Sequence, residues 1–289
     1  MKALVGAGAV ILLATAAFTA CAAPPVPEPS PESSPEPSPT VTASESAEEL
    51  IGVYEVRDAV GEPAGSWVRV YADQFVILRE CGLLQGSWRG IEGMFTGVMT
   101  GFSMSCLSND EAPTVPWLDA STGYQRSATG WQLIDSAGTP VVTLEAGGAP
   151  DPAIADQSGF NLDLSGDFDP AIFERPVTLP DGLTAPTESD LERRWIPAGP
   201  RFATNPYLEF ESERRWTASD GCNGSSGRYI LGAGGLLAAT SSASTLVACE
   251  GAPTGFWMYQ AALAGLDGEE LVLLDRAGAE VARLVRSSR

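Results

Sequence analysis

The sequence predicts a mainly β protein: two tandem, small, antiparallel β-barrel-like domains, each with a short helix, following a signal peptide and a disordered Pro/Glu-rich tether. Two observations carry this. The first is an internal duplication marked by cysteines. Tyr54 precedes Cys81 by 27 residues and Cys106 follows after 25, while Trp195 precedes Cys222 by 27 and Cys249 follows after 27. Each copy then closes on the same phrase, WQLIDSAGTPVVTL at 131–144 and LVLLDRAGAEVARL at 271–284. The second observation is that short alternating segments bounded by turn residues dominate both copies, with one helix-like stretch in each. That pattern suggests a small antiparallel barrel closed by a helix.

At the N-terminus, residues 1–21 have the form of an export signal. Lys2 supplies a positive start and the stretch from Leu4 to Ala17 is apolar but too short for a full membrane span. The sequence Phe18-Thr19-Ala20-Cys21 resembles a bacterial lipoprotein processing site with Cys21 as the lipidated residue, although Phe18 departs from the usual Leu. The simpler alternative is secretion with cleavage after Ala22. Cysteine arithmetic favours the lipoprotein, because five cysteines leave Cys21 as the odd one beside two pairs. Residues 22–48 form the tether. The stretch 22–49 carries eight prolines and six glutamates among Ser, Thr and Ala, a composition that cannot bury a core. At ~3.1 Å per residue it reaches on the order of 80 Å.

The first copy occupies 49–146. Val68-Arg69-Val70-Tyr71 and Phe75-Val76-Ile77-Leu78 flank a polar turn and predict a hairpin. Near Pro116-Trp117-Leu118 the prolines at 113 and 116 predict only a short turn in place of a helix. A connector at 147–187 is rich in Pro, Asp and Gly. Within it, 160–165 alternates as a half-buried strand would. A calcium site on Asp163, Asp167 and Asp169 is the competing reading, but no EF-hand spacing supports it.

The second copy occupies 188–287. Tyr207-Leu208-Glu209-Phe210 and Arg215-Trp216-Thr217-Ala218 predict a hairpin, and 229–237 predicts another around Gly232-Ala233-Gly234-Gly235. Residues 256–266 predict a helix with Thr254 as its cap and Phe256, Tyr259, Leu263 and Leu266 as a buried stripe. Both copies end in a hairpin turned by Asp-x-Ala-Gly, where glycine can adopt positive φ.

The second copy resembles the META domain (HslJ-like) family. The resemblance is carried by Trp195, by Asp220-Gly221-Cys222-Asn223-Gly224, by Ser226-Gly227-Arg228-Tyr229, by Thr245-Leu246-Val247-Ala248-Cys249 and by the closing LVLLDRAG phrase. The family motif residues are thus Asp220, Gly221, Cys222, Asn223, Thr245, Ala248 and Cys249. The first copy has Glu80-Cys81-Gly82-Leu83 and Ser103-Met104-Ser105-Cys106 at the matching places, and is a degenerate META-like domain. The resemblance implies the same β-barrel-like fold and an association with envelope stress and drug tolerance. Pairing within each copy gives Cys81–Cys106 and Cys222–Cys249, where four cysteines alone allow three connectivities.

Inventory argues against most catalysis. The chain has no histidine, and Lys2 is its only lysine. There is therefore no Ser-His or Cys-His pair, no imidazole base and no Schiff-base lysine. A hydrolase built on two carboxylates is formally possible but unsupported by any motif. The cysteine spacings lack CxxC, which disfavours zinc, and no cofactor motif is present. After signal removal, 16 Arg stand against 37 Asp and Glu, a formal −21. A field of that sign repels nucleic acid and serves solubility first. The seven tryptophans fall in or beside predicted core elements, and the Asp220-to-Gly224 segment is a disulfide-pinned turn more simply than a binding loop. The expectation is a non-enzymatic lipoprotein, anchored to the outer face of the membrane or cell envelope, that binds an envelope protein or a small ligand. A small-molecule carrier using a barrel cavity is the alternative.

Overall fold

The computed structural model describes residues 45–161, 168–199, 201–245, 247–248 and 250–287. The chain divides into two units, Met1–Thr42 and Ala43–Arg289. All described residues belong to the second, so the signal, Cys21 and most of the tether lie outside them. In the connector, 162–167 also lies outside the described residues, and with it Asp163, Asp167 and most of the expected strand. Asp169 caps a turn of 3-10 helix at Pro170–Phe173 by accepting the N–H of Ala171.

The first copy is a closed, up-and-down, eight-stranded barrel. Its strands are β1 (Gly52–Arg57), β2 (Trp67–Val70), β3 (Gln74–Arg79), β4 (Gly82–Ile91) and β5 (Met94–Phe102), then helix α1 (Pro116–Ala120), then β6 (Gly123–Arg126), β7 (Gly130–Ile134) and β8 (Pro140–Ala146). The ring closes where β8 pairs with β1 through Val56 and Leu144. The expected hairpin at 68–78 is present, with Val70 opposite Phe75. α1 is the short helix expected in each domain, and corrects only the local reading of the two prolines as a turn: Pro116 opens five helical residues. Proline suits the first helical position because that N–H has no intrahelical partner.

After the connector helix α2 (Pro152–Ser158), the second copy repeats the order. Helix α3 (Glu188–Leu191) leads into β9 (Arg194–Pro197), β10 (Tyr207–Glu211), β11 (Arg215–Ser219), β12 (Gly224–Leu231) and β13 (Leu237–Ala239). Helix α4 (Thr254–Gln260) follows, then β14 (Leu263–Asp267), β15 (Glu270–Leu274) and β16 (Glu280–Arg286). The sheet order is β13-β12-β11-β10-β9-β16-β15-β14. Its two edges meet through the Leu236–Leu263 bridge and the bond from Leu237 N–H to Ala262 O. In the first barrel the matching seam, β5 to β6, is also thin, with Met94 opposite Gly123.

The duplication extends to single bonds. Tyr54 Oη donates to Leu50 O at 3.1 Å, and Trp195 Nε1 donates to Leu191 O at 3.0 Å, so an aromatic four residues on ties down the 3-10 helix Ala47–Leu50 before β1 and α3 before β9. Asp135 Oδ1 accepts the N–H groups of Ala137 and Thr139 at 2.9 Å, and Asp275 Oδ1 accepts those of Ala277 and Ala279 at 2.9 and 2.8 Å. The following glycines, Gly138 and Gly278, take φ of 79° and 84°. A side chain there would have to adopt the left-handed region, which disfavours every residue but glycine.

Side chains fill both interiors. Trp88, Trp131, Ile77, Leu84 and Leu133 pack the first, and Trp195, Trp216, Phe210, Tyr229 and Leu284 the second. The barrels meet through equivalent strands in a reciprocal way, β12 against β5 and β13 against β4. Ile91 and Met94 of the first pack there on Ile230, Leu236 and Ala238 of the second. Such reciprocity is the arrangement of a two-fold dimer, here within one chain. The connector is pinned to this body. Ala155 and Phe160 cover Trp67 and Leu78, and Leu179 and Leu183 cover Leu263 and Val272.

Candidate functional site

The barrel interior is not a ligand chamber in the first copy. The void lined by Val68, Phe75, Trp88 and Leu133 measures about 20 Å³, the room of a single water and no more.

β11 ends at Ser219 because the next residues make a tight side-chain-stabilised turn. Asp220 Oδ1 accepts the N–H groups of Cys222 and Asn223 at 2.7 and 2.6 Å, and its Oδ2 accepts Asn223 Nδ2 at 2.8 Å. These bonds, led by the Asn223 amide, hold the Asp220 carboxyl below the usual aspartate range. Asn223 also acts as a piece of extra backbone. Its Nδ2 donates to Val247 O at 2.8 Å and its Oδ1 accepts Val247 N–H at 2.5 Å. One asparagine thereby ties the β11–β12 turn to the loop that follows β13. Gly221 is required at φ 97°, where a Cβ would lie 2.3 Å from Thr204 Cβ. Thr245 Oγ1 accepts the N–H of Gly224 at 3.3 Å, and Ala248 sits exposed in the same loop. Cys222 is disulfide-bonded. Cys249, its expected partner, lies outside the described residues. In the first barrel the Cys81–Cys106 bond is present, closing 25 residues.

This framework makes one wall of a cleft of about 310 Å³. α4 makes the other, pressed so close to β12 that a Cβ on Gly255 would lie 2.0 Å from Ser225 Oγ. Here the structure corrects the sequence expectation three times. The helix ends at Gln260, and Leu263 and Leu266 belong to β14, paired with Leu274 and Leu271. Pairing of LAGLD with ELVLL outweighs continued helix, since both strands bury apolar side chains. The buried helix positions are Thr254 and Met258, while Phe256 and Tyr259 are 56 % and 48 % exposed. Thr254 is the first helical residue and not the cap, a place taken by Pro253. Its Oγ1 is fully buried with no hydrogen-bond partner.

The two exposed rings lie nearly parallel, with centroids 6.4 Å apart and planes at 18°. The Arg89 guanidinium of the first barrel stands over Tyr259 at 4.8 Å, so both barrels contribute to the rim. Sequence periodicity missed these two residues because 3.6-residue spacing shows that residues share a face, not which face is buried. Among the described residues no cluster of three or more His, Cys, Asp or Glu could hold a metal ion.

The second barrel is thus an eight-stranded antiparallel sheet with α4 packed on β10, β11, β12, β15 and β16 and a side-chain-locked turn at Asp220. The META domain family model matches residues 192–288, the span of that barrel, which is similar to META domains. Neither the curated proteins nor the solved structures yielded a match to the chain.

Proposed function

We propose that this protein is a non-enzymatic envelope lipoprotein, exported and anchored through Cys21, whose tandem META-like barrels work as a binding module held off the membrane by the tether. The observation that carries the binding reading is the distribution of space in the described residues. Packed side chains fill the barrel cores, and the motif residues instead frame an external cleft with exposed aromatic rings. Buried apolar interiors give stability, whereas an exposed aromatic pair beside polar groups is the usual signature of a contact surface. The absence of histidine from the whole sequence supports the non-enzymatic part. A role in envelope maintenance or stress tolerance follows from family likeness alone.

The test is photo-crosslinking in intact cells, with the probe at positions along the cleft rim and identification of what is captured. Amine-reactive reagents are unsuitable, because Lys2 is the chain's only lysine. A specific envelope component captured at the rim supports the reading, and capture nowhere on either barrel contradicts it. In parallel, Cys21→Ala should release the protein from the membrane fraction. Continued membrane association of that variant would contradict the anchor.

A further inference from the structure

We propose that the cleft walled by Asp220, Ser225 and Thr254 and rimmed by Phe256 and Tyr259 binds a neutral carbohydrate chain. The proposal rests on the binding-module reading and names the chemical class of its ligand. Three independent features converge. The rim offers two exposed, nearly parallel rings on one face of α4. Rings of this kind pack against the apolar C–H face of a sugar while leaving its hydroxyls free. The walls are rich in hydroxyls, with Ser225, Ser241, Ser244, Thr245 and Thr254 all lining the space. Such a surface matches a ligand that is itself a ring of alternating donors and acceptors.

The third feature is the unpaired Thr254 Oγ1. A buried hydroxyl without a partner costs free energy, which a hydrogen bond to a ligand hydroxyl would recover. Thr254 lines the cleft but is wholly buried, so its hydroxyl meets a ligand hydroxyl only as the wall opens on binding. The charge balance selects a neutral ligand. Asp220 stays ionised and already spends both oxygens on the turn, which repels anions without offering a free site to a cation. The nearby cation, Arg89, is over the Tyr259 ring. The volume of about 310 Å³ lies at the small end of ligand clefts, which span about 300–1,000 Å³. It holds a short stretch of a longer chain, with openness at the rim for the rest to continue.

The experiment is calorimetric titration of the full-length chain in detergent with chitotetraose, maltotetraose and cellotetraose. Saturable binding of at least one, with a dissociation constant of about 1 mM or tighter, is the expected result. The Phe256→Ala/Tyr259→Ala double variant should bind it about tenfold more weakly or worse, with only a modest loss of Tm because about half of each residue is exposed. Thr254→Val removes the unpaired hydroxyl at constant shape. It should keep or raise the Tm while weakening binding about threefold or more, a combination that a purely structural role does not produce. No binding of any tetrasaccharide below about 10 mM overturns the proposal, as does undiminished binding in either variant. Rim crosslinks in cells without tetrasaccharide binding would overturn the carbohydrate assignment and leave the binding module standing.

Discussion

The same corner of the two barrels is built in opposite ways. Counting from the first cysteine of each copy, Arg79 stands where the second barrel has Asp220. Aligning Trp117-Leu118 with Trp257-Met258 places Pro116 and Asp119 where the second has Phe256 and Tyr259. In the first barrel Arg79 turns inward and makes a two-pronged bond to Glu62, at 2.8 Å on each arm, with both side chains buried. Glu62 Oε2 also accepts Trp117 Nε1 at 2.8 Å, and Arg79 Nη2 donates to Thr114 O at 3.1 Å. The ion pair thus fastens α1 to the barrel and closes the corner. In the second barrel Asp220 turns back on its own loop, and α4 carries exposed rings beside an open cleft. Duplication kept the scaffold, while a few positions decided which copy has a sealed corner and which has an open cleft.

The strongest way to break this contrast is Glu62→Ala. It leaves Arg79 charged and buried and Trp117 Nε1 unpaired, and should destabilise the fold by about 3–5 kcal/mol, as removing one partner of a buried pair does. The denaturant midpoint measures it, and a loss under about 1 kcal/mol would show that the pair does not hold the corner. Next comes the Cys81→Ala/Cys106→Ala pair. Closing 25 residues stabilises by about 3.5 kcal/mol in the chain-entropy model, so the variant's unfolding free energy should fall by about that amount. Asn223→Ala should cost less, about 1 kcal/mol, because its bonds to Val247 are exposed. Its useful readout is the loop at 245–248, whose amides should exchange faster while β-strand amides stay protected.

The smallest effects are in pH. Asp220 is held below the usual aspartate range by Asn223, and Asp190 by the Thr187 hydroxyl. A depressed carboxyl stabilises the fold fully above its unfolded value and loses that contribution as pH falls through its folded value. Stability should therefore decline on acidification below about pH 4, and less steeply in Asp220→Asn. On the alkaline side, burial pushes Tyr124 up to about 12 and raises Tyr54 and Tyr229 as well. A raised phenol contributes stability below its unfolded value and loses it as pH rises through the folded one. Unfolding free energy should hold to about pH 10 and fall above it.

Much of the scaffold was legible in the sequence, because two-residue alternation and turn glycines are local. The hairpins at 68–78 and 207–218 and the paired Asp-x-Ala-Gly turns need nothing beyond their own residues. The Asp220-to-Gly224 turn was legible for the same reason. The open corner was not. Whether Phe256 and Tyr259 face inward depends on how β12 and α4 pack, and the seal in the first barrel joins Glu62, Arg79 and Trp117 across 55 residues of chain. The length of α4 was hidden too, since β15 claims Leu263 and Leu266 from outside the segment. The reciprocal contact of β4 and β5 with β12 and β13 left no mark on either strand's pattern, because Ile91 and Ile230 look like ordinary strand residues.

The measurement that tests the contrast most directly is native-state hydrogen exchange at α1 and α4. Exchange rates report the free energy of local opening, with the most protected amides opening only on global unfolding. If the Glu62–Arg79 pair seals one corner and the other is open, the amides of Leu118 and Ser121 should exchange more slowly than those of Trp257 and Ala261, and Glu62→Ala should abolish that difference. Equal protection of the two helices in the unaltered protein, or protection of α1 that survives Glu62→Ala, would contradict it.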